Sequence, residues 1–412
     1  MNESRHVKGI VAALLLIVSA VSPAAWADVV TDWNETGVAA TVAAGLPGLL
    51  QSRAMAVVHA AVYEAVNSIE RRHAPYAADI KAPTGASREA AAAVAAYTVL
   101  TRLFWPQIPI FDAALEASLA GIPDGPGKSN GIAVGKEAAE TILTRRANDG
   151  ASASVTYTYR QGTGMYQATP PVNAAPIMPH WASVQPFTLK AANQFAVKGP
   201  SPYDSPEFAR DFAEVKLMGA KNSTARAKEQ TEIARFWMIS GIVTDNSAAR
   251  QVAAKKGSSI AENARIFALL NMAGADAYIA CWEAKYRLHY WRPVTAIRNA
   301  ASTGNPALVA DPNWEPLLVT PAHPEYPSGH TCYAGATERV LQEMFGDNNS
   351  FTLTFPAMKL TRTYQSFSQL GKEVIDARVW AGIHYRTTDE DGYDLGRRVA
   401  EHALQNVLRP LP

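Results

Sequence analysis

The sequence predicts an all-α protein. Apolar residues recur at the three- and four-residue spacing of helices along most of the chain, and several of these segments are rich in alanine. Strand-like segments are restricted to two short candidates, residues 155–159 and 354–355. With 412 residues, of which 48% are hydrophobic, the chain can bury a large core without disulfide or metal cross-links.

Helical patterning appears in a series of segments, several of which are followed by proline or glycine. In chain order they span residues 53–70, 87–104, 110–119, 132–146, 206–218, 224–240, 260–290, 331–345 and 392–408. Residues 151–206 instead combine Pro, Gly, Ser and Tyr with little periodicity. A segment of that length is too long for a simple connection, so it predicts a folded excursion or lid that could line a pocket.

One pattern occurs twice. Arg-x5-His-x4-Glu at residues 53–64 recurs as Arg-x5-Asn-x4-Asp at residues 265–276, both within alanine-rich helices. A repeat at this distance suits two stacked helical bundles. Chance matching in a biased composition is the alternative.

The N-terminal residues have the pattern of an export signal. Arg5 and Lys8 precede a 13-residue apolar stretch, Gly9 to Val21, and small residues at Ala25 and Ala27 provide a cleavage site. Because a bilayer span needs about 20 apolar residues, a retained anchor is the less favoured alternative. We therefore expect a signal peptide over residues 1–27, a periplasmic or secreted protein, and one all-α domain over residues 28–412.

Composition excludes several classes of protein. Lys plus Arg is 38 against 37 for Asp plus Glu, which argues against a nucleic-acid partner. After residue 27 there is no uncharged apolar run of 18 residues, so no membrane span is expected in the mature chain. The two cysteines, Cys281 and Cys332, are too few for a disulfide framework. Free buried thiols are favoured for them, and a disulfide between them is the alternative.

Two basic residues near the end of the 260–290 helix form the first candidate motif. Seven helical residues turn the chain by about 700°, so Lys285 and Arg292 would lie within roughly 20° of one another around the helix. Pro293 predicts that the helix ends at Arg292. Two cations on one face can bind one anion, although a solvated surface stripe would look the same.

The second motif is Pro-Ser-Gly-His at the start of the 331–345 helix. A helix N-terminus offers unpaired backbone N–H groups and favours negative charge, so it can bind an oxyanion. Gly329 allows close approach, the Ser328 hydroxyl can donate to an oxygen, and His330 is a candidate acid or base. The alternative is that Ser328 only caps the helix.

The third motif adds a guanidinium and an imidazole six residues apart, Arg378 and His384. Taken in order, Lys-x6-Arg-Pro, Pro-Ser-Gly-His and Arg-x5-His resemble the superfamily of vanadium-dependent haloperoxidases and type 2 phosphatidic acid phosphatases. The phrases WRPVTAIR and TPAHPEYPSGH resemble its bacterial haloperoxidase-type branch. The resemblance implies two stacked helical bundles, with the motifs in residues of about 260–408.

The resemblance also implies a role for each matched residue. Lys285, Arg292, Arg378, Ser328 and Gly329 would hold the oxygens of vanadate or phosphate. His384 would be the axial ligand of vanadium, or the nucleophile that takes up a phosphoryl group. His330 would be the general acid or base, and Lys285 would also polarise bound peroxide.

Two activities follow from the resemblance. The first choice is a vanadate-dependent haloperoxidase that oxidises halide with hydrogen peroxide to a hypohalous acid equivalent and serves a small organic acceptor. The alternative is a soluble periplasmic acid phosphatase that works through a phosphohistidine at His384. A non-catalytic oxyanion-binding protein is the third hypothesis, and the sequence leaves open whether the chain forms a homodimer.

The third motif departs from the family pattern. The family places an Asp four residues after the histidine to orient its ring, but here that residue is Thr388. The orienting carboxylate could be Asp389, or Glu390 or Asp391, one to three residues later. Three neighbours are further pocket candidates: Trp282 as an aromatic wall, His323 at a position associated with halide preference, and His289.

Overall fold

The computed structural model describes residues 28–412, so the predicted signal peptide at residues 1–27 lies outside the described residues. Helices dominate the described residues, and the all-α prediction is confirmed. Their bounds are α1 Val29–Ala43, α2 Gly48–Glu70, α3 Arg88–Leu103, α4 Ile108–Ala120, α5 Pro126–Arg146, α6 Pro206–Met218, α7 Lys228–Phe236, α8 Gly241–Lys256, α9 Ile260–Leu288, α10 Pro293–Arg298, α11 Gly329–Phe345, α12 Phe367–Trp380 and α13 Arg386–Asn406.

Three of the longer helices, α1, α8 and α12, are absent from the predicted set. The apolar pattern of α1 and α8 is weak because they bury polar groups: Asn34 on α1 and Asp245 and Asn246 on α8 are almost completely inaccessible. Asn34 donates a hydrogen bond to the Asn246 side chain at 2.7 Å, so these polar groups satisfy one another inside the core. A search for apolar periodicity misses helices that pack in this way.

A hairpin is the only extended structure of more than one residue pair in residues 28–412. Strand β1, Phe351–Phe355, pairs antiparallel with β2, Leu360–Tyr364. The candidate at residues 354–355 is therefore part of a strand, but the candidate at 155–159 is wrong. That segment is irregular and is held by aromatic packing, with the rings of Tyr157 and Tyr286 5.5 Å apart.

Helices α2 and α9 pack against each other in the centre of the molecule. The two acidic residues of the repeated sequence pattern have the same structural role on these helices, which is to bind the backbone of a loop. Glu64 on α2 accepts hydrogen bonds from the backbone N–H groups of residues 76–78. Asp276 on α9 accepts them from the N–H groups of residues 187–189. Each central helix thus anchors a loop through a buried carboxylate, as two related bundles would.

The segment 151–206 is irregular, as its composition predicts, apart from a short 3₁₀ helix, Pro179–Ser183. Its anchorage on Asp276 brings Ile177 over α9, where the Ile177 carbonyl accepts hydrogen bonds from Trp282 and Tyr286. Across residues 28–412, every helix is too short or too polar to cross a bilayer.

Candidate oxyanion site

The three sequence motifs meet at one cavity of about 220 Å³. Gly329 and His330 from the second motif and Arg378 and His384 from the third line it directly. Lys285, Arg292 and Ser328 lie behind this lining, each with no exposed surface. The structure thus gathers all six charged or polar motif residues around a shared hollow, although they come from α9, α11, α12 and the intervening loops.

Ser328 precedes α11 but does not cap it. Its backbone has the extended conformation of an N-cap residue, yet its side chain makes no capping hydrogen bond. The Ser328 hydroxyl is buried and has no partner among the described residues. The capping alternative is therefore wrong, and the hydroxyl is left available to a ligand. The first N–H groups of α11 also lack acceptors within the helix.

Gly329 lies in close contact with the aromatic wall of the cavity. A Cβ at this position would lie 3.0 Å from the Trp282 ring and 3.7 Å from the Tyr278 ring. The aromatic wall and the helix N-terminus are therefore in direct contact, and a side chain at residue 329 would push them apart.

The first motif reaches the site by a different route from the one predicted. Helix α9 ends at Leu288, and His289 adopts a left-handed conformation with φ of 54°. Pro293 begins α10 rather than ending α9, with Arg292 as the residue before it. The prediction that Lys285 and Arg292 share one helical face is wrong, because the chain turns between them. Both side chains nevertheless point to the same buried region.

Lys285 is held by backbone oxygens. Its ammonium donates to the carbonyls of Pro324 and Glu325, both at 2.9 Å, and lies 5.6 Å from the centroid of the Trp282 ring. An ammonium has three donors, so one proton is left for an anion. Burial lowers the pKa of Lys285 to about 8, and Arg292 adds to this effect.

We expect the affinity for inorganic phosphate to fall as the pH rises above about 8. A bound anion favours the charged form of Lys285, so affinity is full below its pKa and declines above it. The decline should approach about tenfold per pH unit, the limit for one linked proton. Titration calorimetry between about pH 7 and pH 9.5 measures this slope. Lys285→Met should bind weakly and without the slope; a flat profile in the unmodified protein contradicts the assignment.

Arg292 makes the densest set of contacts in the site. It donates to the carbonyls of Pro321, His323 and Ile383 at 3.2, 2.9 and 2.7 Å. Its Nη1 also lies 3.1 Å from His384 Nε2. The guanidinium therefore joins the loop before α11 to the loop before α13.

Arg378 lies in the last turn of α12 and is 3% exposed. Its Nη1 donates to the Trp237 carbonyl at 2.6 Å, which fixes the guanidinium. Its Nε is buried without a partner among the described residues. Two unpaired buried donors, on Arg378 and Ser328, thus flank the cavity, and such groups are costly unless a ligand accepts from them.

The carboxylate beside His384 belongs to Glu325. His384 Nδ1 lies 2.9 Å from Glu325 Oε1, and the hydroxyl of Thr388 donates to Glu325 Oε2 at 3.0 Å. The expectation that Asp389, Glu390 or Asp391 plays this part is wrong. Glu325 stands in the HPEYPSGH phrase, but nothing in the sequence shows which loop faces the histidine. Burial raises its pKa to about 7, opposed by Arg292 and Lys285.

Asp389 points to the other side of the site. Its carboxylate has no exposed surface and neither oxygen has a hydrogen-bond partner among the described residues. Burial raises its pKa well above the usual range, while the nearby Ser328 hydroxyl and Arg378 guanidinium lower it in part. Asp389 is thus a neighbour of the oxyanion-binding groups and not of the imidazole.

The histidines of the cavity are neutral imidazoles. Burial, with the positive charges of Arg292, Lys285 and Arg378, lowers the pKa of both His330 and His384 well below the usual range. Burial and the charges of Arg292 and Lys285 also lower the pKa of His323 well below the usual range. Its ring lies 4.9 Å from the Trp282 ring, so these two predicted pocket residues form one wall.

His289 and the two cysteines do not join the cavity lining. His289 Nδ1 lies 2.8 Å from the Tyr157 hydroxyl, in the aromatic cluster under the 151–206 segment. Cys281 and Cys332 are buried free thiols. The Cys281 thiol donates to the Pro327 carbonyl at 3.5 Å, directly behind the second motif.

This geometry agrees with comparisons to known proteins. Residues 265–411 match the family model of the second helical-bundle domain of vanadium chloroperoxidase (VCPO). The vanadium chloroperoxidase of Curvularia inaequalis is 26% identical over 76% of this chain, and the match spans 65% of that protein's length. A bacterial vanadium-dependent iodoperoxidase of known structure has a TM-score of 0.80 and 27% identity, covering 93% of this chain and 97% of that one.

A bacterial vanadium-dependent chloroperoxidase shares the fold, with a TM-score of 0.71, 18% identity, and coverage of 86% of this chain and 92% of that one. The fold, the site and these matches together define the class of protein. Residues 265–411 belong to the family of the second helical-bundle domain of vanadium chloroperoxidase, and the chain has the fold of the bacterial vanadium-dependent haloperoxidases.

Proposed function

We propose that this protein is a vanadate-dependent haloperoxidase, which oxidises halide with hydrogen peroxide to a hypohalous acid equivalent. The observation that carries the proposal is the set of three buried cations, Lys285, Arg292 and Arg378, at a cavity that Arg378 and His384 line. Three buried positive charges suit an oxyanion of two or three negative charges. The relatives named above, a chloroperoxidase and an iodoperoxidase, both depend on vanadium.

The residues present fit vanadate. The Ser328 hydroxyl and Arg378 Nε are buried donors without partners, and α11 opens at Gly329 toward the cavity. Lys285 has one N–H left for an oxygen, whereas Arg292 adds positive charge, because its donors contact three carbonyls and the rings of His323 and His384. His384 Nδ1 is bonded to Glu325, so Nε2 is the ring nitrogen that would meet vanadate, in place of its contact with Arg292. Bound vanadate would supply the Lewis acid at which hydrogen peroxide is activated.

The protein's own groups would bind, orient and move protons. Lys285 has one N–H left to polarise an oxygen, because its other two donate to carbonyls. His330 lines the cavity as a neutral imidazole, so it can accept a proton from hydrogen peroxide before it returns one to the product. Hydrogen bonds to backbone carbonyls hold the three cations in place before an anion binds, which is what electrostatic preorganisation requires.

The cavity also suits small reactants. Its volume of about 220 Å³ admits peroxide and halide beside the imidazoles. Its outer wall is apolar, formed by side chains such as Leu49, Ile177 and Met238. An organic acceptor that meets the oxidised halogen would contact this wall.

A paired assay tests the proposal. One arm supplies vanadate, hydrogen peroxide and bromide and follows bromination of a phenolic dye; the other supplies an aryl phosphate without vanadate. We expect bromination, its loss in His384→Ala, and full activity in the control His402→Ala, whose imidazole lies on α13 beside Phe195. Efficient phosphate hydrolysis without bromination would replace the haloperoxidase by the phosphatase.

The proposed function includes export of the protein from the cytoplasm. The charged start, the 13-residue apolar stretch and the small residues at Ala25 and Ala27 support a cleaved signal peptide and a periplasmic or secreted enzyme. Mass measurement on protein recovered from the periplasm or medium should give a chain that begins at Asp28. A full-length chain confined to the cytoplasm would contradict export.

A further inference from the structure

The buried carboxylate of Glu325 connects the second and third motifs through hydrogen bonds. Its side chain accepts hydrogen bonds from His384 Nδ1 at 2.9 Å, the Tyr385 N–H at 3.1 Å and the Thr388 hydroxyl at 3.0 Å. Its backbone carbonyl accepts from Lys285 at 2.9 Å, and its N–H donates to the Tyr290 carbonyl at 2.8 Å. The residue has no exposed surface. Every hydrogen-bonding group of Glu325 is therefore used within the site.

Two contacts define the protonation of His384. A guanidinium can only donate, so Arg292 Nη1 at 3.1 Å requires a lone pair on Nε2. The ring proton must then lie on Nδ1, where Glu325 accepts it. Both sides of the ring thus select the same tautomer, the one with an unprotonated Nε2, whose lone pair Arg292 contacts until a ligand replaces it.

Thr388 and the backbone of Tyr385 act on Glu325 rather than on His384. The Thr388 hydroxyl bonds to the carboxylate oxygen that the imidazole does not use, and the Tyr385 N–H bonds to the one that it does. Three donors thus converge on the two oxygens and keep the carboxylate in one orientation. Thr388 occupies the family's carboxylate position, and here it supports a carboxylate from another segment.

We propose that Glu325 is the positioning residue of this site, which fixes the tautomer and strengthens the basicity of His384 Nε2, with Thr388 as its support. The proposal rests on the proposed function for the identity of the oxyanion. An outer carboxylate that accepts a proton from a ligating histidine orients the ring and raises its strength as a ligand, typically by about 10–100-fold in affinity.

The test compares vanadate with phosphate in the full-length protein and in Glu325→Gln. The amide is isosteric and can still accept from Nδ1 and from the Tyr385 N–H, so the variant should fold. Vanadate, which relies on His384 as a ligand, should bind about 10–100-fold more weakly. Phosphate, held by the cations, the Ser328 hydroxyl and the start of α11 without a bond to His384, should lose no affinity. Titration calorimetry with both anions therefore measures a change in the ratio of the two affinities. General damage to the site would lower both affinities and would not produce this change.

A matched control and a second measurement complete the experiment. Glu338→Gln changes another buried carboxylate, on α11 outside the cavity lining, and should leave the ratio unchanged. In anion-free protein labelled with ¹⁵N-histidine, the His384 Nδ1 proton should move upfield in Glu325→Gln, since a neutral acceptor polarises it less.

The outcomes separate the two proposals. A change of one unit in the pKa of a group corresponds to a change of about tenfold in an equilibrium constant. A ratio of vanadate affinity to phosphate affinity within about twofold of that of the unmodified protein would therefore overturn the positioning role. If the unmodified protein shows no preference for vanadate, the haloperoxidase proposal fails and the NMR measurement decides on Glu325. An Nδ1 resonance unaltered in Glu325→Gln would then refute the positioning role by itself.

Discussion

Gly396→Ala should lower the free energy of unfolding by at least about 3 kcal/mol, because the added methyl has no space. A Cβ on Gly396 would lie 2.0 Å from the Cys332 carbonyl oxygen and 2.8 Å from the Ala336 nitrogen. Both are backbone atoms of α11, so no rotamer change relieves the overlap. The helices α11 and α13 must then move apart, and the hydrophobic contacts between them are lost.

The same change should weaken anion binding, because α11 begins at the oxyanion site. Moving α11 displaces Ser328 and Gly329 relative to Arg378 and His384. Denaturant unfolding followed by circular dichroism measures the stability change, and calorimetry with phosphate measures binding. The control is Gly121→Ala, where nothing lies within 4 Å of the added methyl and φ is −81°. It should change stability by no more than about 0.5 kcal/mol; a loss below about 1 kcal/mol in Gly396→Ala would contradict the steric argument.

The sequence predicts the chemistry of the site better than its geometry. Short motifs identify Ser328, Gly329, Arg378 and His384, because each combines residue types that an oxyanion needs with a local feature such as a helix start. The site forms where these local features meet, and the structure brings them together. Lys285 and Arg292 do lie together, but not on one helical face as the sequence predicts. The helix ends before Arg292, and the loop that follows it brings Arg292 back to Lys285.

The carboxylate beside His384 cannot be identified from the local sequence. Successive residues of a helix differ by about 100° in direction, so Thr388 and Asp389 in the first turn of α13 face different neighbours. Thr388 faces Glu325, and Asp389 faces the region of Ser328 and Arg378. A count of residues after His384 therefore suggests a carboxylate at the ring, whereas the tertiary structure supplies one from the loop before α11.

Helix prediction fails for a related reason. Helix α8 buries Thr244, Asp245 and Asn246, and Thr337 on α11 donates to Asp245 at 2.6 Å. Polar groups that satisfy one another between helices break the apolar period of each helix, although the packing is as complete as in an apolar core. Only the assembled bundle shows that these residues belong inside.

Arg292→Lys should lower the affinity for vanadate and for phosphate by about 100-fold or more, which is about 2.7 kcal/mol. The guanidinium contacts three carbonyls and the rings of His323 and His384, and its positive charge lies behind the cavity lining in that fixed position. A lysine keeps the charge but has three donors on a flexible stem, so it cannot reproduce the planar arrangement. At least one carbonyl loses its partner, at a cost of about 1–3 kcal/mol in stability.

The matched control lies at the far end of α10, the short helix that Arg292 precedes. Arg298→Lys replaces a guanidinium of α10 that donates to the Trp314 carbonyl at 2.9 Å and lies outside the oxyanion cavity. It should change anion affinity by less than about twofold. Calorimetry with phosphate and vanadate, together with denaturant unfolding, measures both effects. Arg292→Lys should lower affinity for both anions, whereas Glu325→Gln should weaken vanadate alone. If Arg292→Lys binds phosphate as well as the unmodified protein does, Arg292 serves the fold by joining two loops and is not an anion ligand.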